Sequence, residues 1–231
     1  MAIKRPQLVN DEIYHVIIRG VGDAKIFKDQ NDYYRMIFSL YEFNTTKPIE
    51  IRNRRKEARE RKYGGQSSVN LFVDIDDRNL LVEILAFCFM PNHIHLLLRQ
   101  IRNNGITKFM RKVGTGYSGY FNRRYDRRGH LFQSRFQAVH VKTNDQLQIV
   151  FVYIHANPVS LVEPKWKEVG VKNTNKIIKF IENYKWSSYL DYFDKKNFPS
   201  LTSREFLGNV IGKNEKCKKF VNDWIKHNIK L

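Results

Sequence analysis

Two histidines stand one residue apart in the stretch FMPNHIHLLLRQ, at residues 89–100. The apolar run around them is typical of a β-strand. Side chains at positions i and i+2 of a strand face the same side, so His93 and His95 point together while Ile94 points the other way. Two imidazoles placed in this way can present their ring nitrogens to one metal ion. The spacing alone favours hydrogen-bonded or surface histidines, and a metal site requires a third ligand.

A tyrosine and an asparagine follow at helical spacing in FVYIHANPV, residues 151–159. Tyr153 and Asn157 are four residues apart, so they share one face of a helix. If a metal held by the two histidines polarised a phosphodiester, the Tyr153 phenolate could attack its phosphorus and form a 5′-phosphotyrosine. The spacing also fits a helix that packs Tyr153 and Ile154 in the core and stops at Pro158, and spacing alone favours this structural interpretation.

The order of the predicted elements indicates an α+β fold. Residues 12–20, 79–90, 93–99 and 136–143 have strand patterns, and residues 29–43, 105–125 and 144–159 have helical patterns. This is the βαββαβ order of a ferredoxin-like antiparallel sheet with helices on one face, and one more helix lies behind it. Asp29 is the predicted N-cap of the first helix, and Asn144 or Asp145 that of the third. Three glycines inside the second helical pattern, Gly114, Gly116 and Gly119, indicate a bent or closely packed helix.

Composition divides the chain into two predicted regions. Residues 1–160 form the predicted catalytic domain, which a charged insertion interrupts at residues 44–68. From residue 161 the sequence becomes rich in Lys, Asn and Trp. We interpret residues 161–231 as a mostly helical C-terminal extension whose last helix covers residues 215–229.

The net charge predicts an anionic partner. The 231-residue chain contains 41 Lys and Arg against 23 Asp and Glu, a formal charge of +18. A charge of this size points to nucleic acid or an anionic membrane surface. The sequence shows neither an apolar run of membrane-spanning length nor a signal peptide, which favours nucleic acid and a cytoplasmic location. The two cysteines are far apart and indicate no disulfide, and Cys88 is predicted to lie in the core.

Arginines alternate with aromatic residues in FNRRYDRRGHLFQSRF, residues 121–136. Arginine forks match phosphates, and aromatic rings stack on unpaired bases, so this segment is a candidate DNA-binding surface. The alternative is a basic surface loop in which Phe132 and Phe136 anchor the core. The candidate DNA-binding residues are Arg123, Arg124, Arg127, Arg128, His130, Gln133 and Arg135.

Four stretches together resemble the single-tyrosine HUH transposases, in the insertion-sequence-200-like group that includes the REP-associated tyrosine transposases. The stretches are YHVIIRG…IFKDQNDY, MPNHIHLLL, YFNRRYDRRGHLFQSRFQAV and YIHANPV, and they span most of residues 10–160 in the order of that family. The long insertion at 44–68 and the tail after residue 160 depart from its minimal members. The tail, with its KWSSY stretch, resembles larger members of the group.

The resemblance implies a site and its partners. It implies that His93, His95 and Asn157 bind the metal and that Tyr153 is the nucleophile. It also implies Mg²⁺ or Mn²⁺ as cofactor, although two imidazoles and an amide suit Mn²⁺ or Zn²⁺ better than Mg²⁺. The expected partner is single-stranded or hairpin DNA, with no small-molecule cofactor and no membrane. Relatives include both monomers and dimers, so a homodimer remains open.

Other histidines and tyrosines are assigned structural roles. His15 is expected to be structural, His155 to be structural or to face DNA, and the face of His140 is open. The rival tyrosines at positions 117, 120 and 125 lie nearest the arginines but have no comparable amide one turn on.

The sequence therefore predicts a metal-dependent, single-strand-specific DNA endonuclease and strand transferase. One alternative is a domesticated relative that binds DNA or RNA hairpins without cutting them. Another is a structural protein stabilised by Zn²⁺.

Overall fold

A four-stranded antiparallel sheet forms the centre of the protein. The computed structural model describes residues 6–48, 78–193, 195–212 and 214–227. Its strands are β1 (Ile13–Arg19), β2 (Val82–Met90), β3 (His93–Gln100) and β4 (Gln137–Val141), in the spatial order β2-β3-β1-β4. The predicted ferredoxin-like sheet is confirmed. The predicted insertion lies, from residue 49 onward, outside the described residues.

The two helices of the βαββαβ unit pack on one face of the sheet, as predicted. They are α1 (Gln30–Glu42) and α2 (Gly105–Arg124). Val16 of β1 and Leu96 of β3 face them and share one buried core with Leu40 and Phe109. The next residues along each strand face the opposite side, because side chains alternate across a sheet. The candidate site lies on that opposite face.

Close packing explains the glycines of α2. The helix is continuous through Gly114, Gly116 and Gly119. A Cβ atom on Gly116 would lie 2.3 Å from the Phe43 ring, so only glycine permits this approach of α1's C-terminal end to α2. Of the two possibilities that the sequence left, close packing is therefore confirmed.

The helix α3 (Asn144–Ala156) carries the candidate nucleophile and covers the second face of the sheet. Its N-cap is Thr143, whose hydroxyl accepts a hydrogen bond from the backbone N–H of Gln146 at 3.2 Å. The prediction of Asn144 or Asp145 as cap was wrong, because the chain leaves β4 extended through Thr143 and turns only afterwards. Asp29 does cap α1, as predicted.

Pro158 does not end the helical segment, as the sequence had suggested. The α-helix ends at Ala156, and a 3₁₀ helix (Asn157–Leu161) continues from it with Pro158 in its first turn. The first turn of a helix tolerates proline because its N–H groups have no intrahelical partner.

The C-terminal extension packs with α3 on the second face. Its helices are α4 (Trp166–Val169), α5 (Thr174–Ile181), α6 (Glu205–Ile211) and α7 (Glu215–His227). The KWSSY segment covers the edge of β2: the N–H of Phe89 donates to Trp186 O at 2.8 Å, and the N–H of Ser188 donates to Phe87 O at 3.0 Å. The extension therefore protects a strand edge that would otherwise be open.

A buried histidine joins α3 to this segment. His155 is 1% exposed, and its Nε2 lies 2.8 Å from the Ser188 hydroxyl, which accepts the N–H of Phe87. This confirms the structural role predicted for His155. Burial lowers its pKa to about 3, so the ring is neutral in the folded protein at neutral pH.

Acid should destabilise the fold through His155. Unfolding restores an ordinary histidine pKa near 6.5. Below that pH, the unfolded state therefore binds a proton at this histidine, whereas the folded state does not. Between pH 7 and pH 5, the free energy of unfolding should fall by about 2 kcal/mol more for the unmodified chain than for His155→Gln. Urea denaturation of both proteins at the two pH values measures this difference. Equal losses in the two proteins would contradict it.

Candidate active site

The pairing of β1 with β3 places three histidines on the face that α3 covers. His93 lies opposite Arg19, His95 opposite Ile17, and His15 opposite Leu97. The rings of His93 and His95 are 4.8 Å apart at 80°, on the same side of the strand as expected from their spacing. His95 is only 2% exposed, whereas His93 is half-buried.

His95 holds a buried nitrogen without a partner. Its Nδ1 lies 2.9 Å from Nε2 of His15, and the two rings are stacked at 5.1 Å. Its Nε2 is buried and has no hydrogen-bond partner among the described residues. Burial, followed by the nearby His15 and His93, lowers the pKa of His95 well below the ordinary value. In the tautomer in which Nδ1–H donates to His15, the neutral ring presents an Nε2 lone pair, which is the arrangement of a metal ligand.

His93 is oriented by its neighbour in the chain. Its Nδ1 lies 2.7 Å from the Asn92 side-chain oxygen, so Nδ1 carries the hydrogen and Nε2 keeps its lone pair. Burial, with a contribution from Arg19, lowers the pKa of His93 to about 4. The ring is therefore neutral at neutral pH and can accept a metal.

Tyr153 lies directly against the histidines. Its ring centroid is 5.5 Å from that of His95 and 5.8 Å from that of His15, both nearly edge-on. Asn157 is 5% exposed, and its side-chain N–H donates to the backbone oxygen of Tyr153 at 3.0 Å. Its amide oxygen accepts no hydrogen bond from the part of the chain that the structure describes, so this oxygen is available to a ligand.

A lysine of the extension completes the surroundings of Tyr153. The Nζ of Lys167 lies 3.2 Å from the Tyr153 hydroxyl and 4.2 Å from the ring centroid. Its charge contributes to the lowered pKa of both His93 and His95. Sequence reasoning missed this residue because α4 has no motif that relates it to the site.

The candidate metal ligands are two imidazole nitrogens and one amide oxygen. Within residues 6–48, 78–193, 195–212 and 214–227, no group of three or more His, Cys, Asp and Glu residues is arranged to hold a metal. The candidate set is the Nε2 atoms of His93 and His95 with the amide oxygen of Asn157. The buried, unpaired Nε2 of His95 supports this set, since such an atom otherwise carries a desolvation cost.

The rival tyrosines are engaged elsewhere. The Tyr117 hydroxyl is fully buried and donates to Ile26 O at 2.6 Å. Those of Tyr120 and Tyr125 donate to the buried Asp32 carboxylate at 3.0 and 2.8 Å. Burial raises the pKa of all three phenols, and the phenolate needed for nucleophilic attack is correspondingly disfavoured.

Two arginines of the basic segment 121–136 are engaged by contacts within the protein. Arg124 forms ion pairs with Asp29 at 2.5 Å and Asp32 at 3.0 Å, and Arg127 donates to Asn122 and to the His130 backbone oxygen. Phe136 is buried and Phe132 packs on the core, as predicted for anchors. The other members of the candidate DNA-binding set are exposed: Arg123, Arg128, His130, Gln133 and Arg135.

The end of this segment returns to the candidate site. Phe132 bridges to Gly20, and the N–H of Gln133 donates to the backbone oxygen of Arg19 at 2.9 Å. Arg19 is the strand partner of His93. The exposed residues of this segment therefore lie next to the end of β1, where Arg19 pairs with His93 of β3.

His95 of β3 and Tyr153 of α3 lie side by side on a ferredoxin-like sheet. Residues 51–157 match the family model described as Transposase IS200 like. These residues include both candidate histidines, Tyr153 and Asn157. The match confirms the resemblance to the IS200-like transposases that the sequence motifs predicted.

One solved structure is also similar in part. It is a REP-associated tyrosine transposase bound to a REP hairpin, with 12% identity, a TM-score of 0.49, and coverage of 89% of this chain and 93% of that one. A comparison with curated proteins finds no match. In the part of the chain that the structure describes, no helix is long and apolar enough to cross a membrane.

Proposed function

We propose that the protein is a metal-dependent endonuclease and strand transferase that acts on single-stranded DNA. The observation that carries this proposal is the contact of Tyr153 with His95, whose buried Nε2 has no partner among the described residues. The match to IS200-like transposases over residues 51–157 supports the same class of reaction.

In the proposed reaction, the Tyr153 oxygen attacks the phosphorus of a phosphodiester. The bond from phosphorus to the 3′ oxygen breaks, which leaves a 5′-phosphotyrosine and a 3′-hydroxyl. When bound, Mg²⁺ or Mn²⁺ offsets the charge that develops on the phosphate oxygens. His93, His95 and Asn157 would hold that ion through their available nitrogen and oxygen atoms. A second 3′-hydroxyl reverses the step, and no ATP is required because the phosphoester is kept.

The DNA follows the exposed part of the basic segment in this proposal. Arg123, Arg128, His130, Gln133 and Arg135 contact phosphates and unpaired bases of single-stranded or hairpin DNA. Arg124 and Arg127 instead shape the segment through their contacts within the protein. The homodimer and the cytoplasmic location stay predictions.

Binding should depend on salt through these arginines. Replacing Arg128 and Arg135 together by alanine should weaken binding to single-stranded DNA and lower the slope of log K against log salt by about 0.7 for each lost phosphate contact. The matched control replaces Lys176 and Lys179, two exposed lysines of α5, and should leave the slope unchanged. Fluorescence anisotropy between low and moderate salt measures both. An equal change in the control would contradict a localised DNA path.

A denaturing gel tests the proposed reaction. Purified protein is mixed with labelled single-stranded hairpin DNA from the flanks of its own gene, with Mn²⁺, with Mg²⁺ or with a chelator. A metal-dependent covalent adduct supports the proposal. DNA binding without an adduct would support the non-cleaving hairpin-binding alternative, and unfolding by the chelator would support a structural Zn²⁺ site.

A further inference from the structure

We propose that Lys167 of the C-terminal extension is a catalytic residue that holds positive charge against the Tyr153 oxygen as it attacks and leaves phosphorus. This inference rests on the proposed function. The observation behind it is a double contact: Nζ lies 3.2 Å from the phenol oxygen and 4.2 Å from the centre of its ring. An ammonium group in this position contacts the Tyr153 oxygen, which is the reacting atom.

The fold holds this lysine in place through its neighbour. Trp166 is 2% exposed and packs edge-on against Trp224 of α7, with ring centroids 5.7 Å apart. The loop around α4 is closed by Glu163, whose carboxylate accepts the backbone N–H groups of Lys172 and Asn173. The adjacent residue, Lys167, is therefore carried by an anchored turn, and its exposed side chain extends over Tyr153.

The reaction needs a positive charge at this oxygen. The phenol proton passes to solvent, the oxygen–phosphorus bond forms, and the electron pair of the broken bond goes to the 3′ oxygen, which takes a proton from solvent. In the reverse step the phenolate is the leaving group. Lys167 keeps its proton throughout and stabilises the phenolate in both directions.

The other charges near the site do not replace Lys167. His93 and His95 are the candidate metal ligands of the proposed function, and Nε2 of His15 is paired with Nδ1 of His95 at 2.9 Å. The guanidinium of Arg19 is paired with Asp23 at 2.8 Å. Within the described residues, Lys167 is the cation that donates to the Tyr153 hydroxyl, so the extension completes the site.

Single-turnover adduct formation tests this role. Labelled single-stranded DNA that carries the hairpin flanking the gene is used at saturating concentration with Mn²⁺. Lys167→Met should slow adduct formation by roughly 10- to 100-fold, less than the loss of a fully buried charge donor because Lys167 is exposed. The dissociation constant of the Lys167→Met variant for the same DNA, measured in parallel, should remain near that of the unmodified protein.

Two further variants separate a catalytic charge from a structural or general electrostatic effect. Lys167→Arg keeps the charge and should recover most of the rate. Lys165→Met removes an equal charge from the same turn and should react like the unmodified protein. Adduct formation by Lys167→Met at the unmodified rate, or equal slowing in Lys165→Met, would overturn the role of Lys167. A lack of adduct with the unmodified protein would instead overturn the proposed function, and with it this inference.

Discussion

Replacement of Tyr153 by phenylalanine is expected to abolish covalent attachment to DNA while leaving DNA binding intact. The substitution removes only the attacking oxygen, and the ring still packs against His15 and His95. Loss of an enzyme's nucleophile lowers the rate on the order of 10⁶-fold, which places the adduct below detection. A denaturing gel measures the adduct, and fluorescence anisotropy measures the dissociation constant.

The matched control for this prediction is Tyr125→Phe. Tyr125 lies among the arginines and its hydroxyl donates to Asp32 of α1. The substitution removes this one hydrogen bond and none of the candidate metal ligands. This variant should form the adduct at a rate close to that of the unmodified protein. An adduct that persists in Tyr153→Phe and disappears in Tyr125→Phe would show that the nucleophile is a different tyrosine.

Replacement of His95 by alanine is expected to remove metal binding as well as activity. The variant loses one imidazole of the candidate set and leaves Nε2 of His15 without its partner. Loss of groups that only support metal ligands costs about 10- to 100-fold in affinity, so loss of a ligand should cost at least about 100-fold. The signal of free Mn²⁺ in electron paramagnetic resonance, titrated with protein, gives the affinity independently of DNA cleavage.

His140 provides the control histidine. It lies on β4, where its Nε2 meets Glu12 at 2.7 Å and its ring stacks on Tyr14. His140→Ala should bind Mn²⁺ as the unmodified protein does. Unchanged Mn²⁺ affinity in His95→Ala would rule out His95 as a ligand and would leave its buried Nε2 unexplained.

Local patterns were sufficient for the four strands, for the helices of residues 1–160 and for placing His93 and His95 on the same side of a strand. The period of two residues along a strand determines which side chains share a face of the sheet. The period of 3.6 residues along a helix places Tyr153 and Asn157 on one face of that helix. The Asp29 cap and the packed glycine helix also follow from nearby residues. The cap of α3 was misplaced by one or two residues, because Thr143, Asn144 and Asp145 are all good N-caps and only the turn after β4 selects among them.

The contacts that complete the site are not local. His15 meets His95 across 80 residues of sequence, and no spacing rule relates β1 to β3 before the sheet order is known. Arg124 was grouped with the DNA-binding arginines. It donates hydrogen bonds to Asp29 and Asp32, which lie more than 90 residues earlier, so local sequence did not reveal these contacts. Lys167 belongs to the extension, whose position depends on the packing of Trp166. In contrast, the contact between Asn92 and His93 joins residues that are adjacent in sequence.

The most direct test of the central claim is to identify the residue that carries the DNA. After reaction with single-stranded hairpin DNA and Mn²⁺, the adduct is digested with trypsin and a nuclease and analysed by mass spectrometry. Cleavage after Lys142 and Lys165 releases residues 143–165, in which Tyr153 is the only tyrosine. The account predicts a nucleotide linked through its 5′-phosphate to Tyr153, formed only when metal is present. A nucleotide on any other residue, or no adduct under conditions in which the DNA is bound, would contradict it.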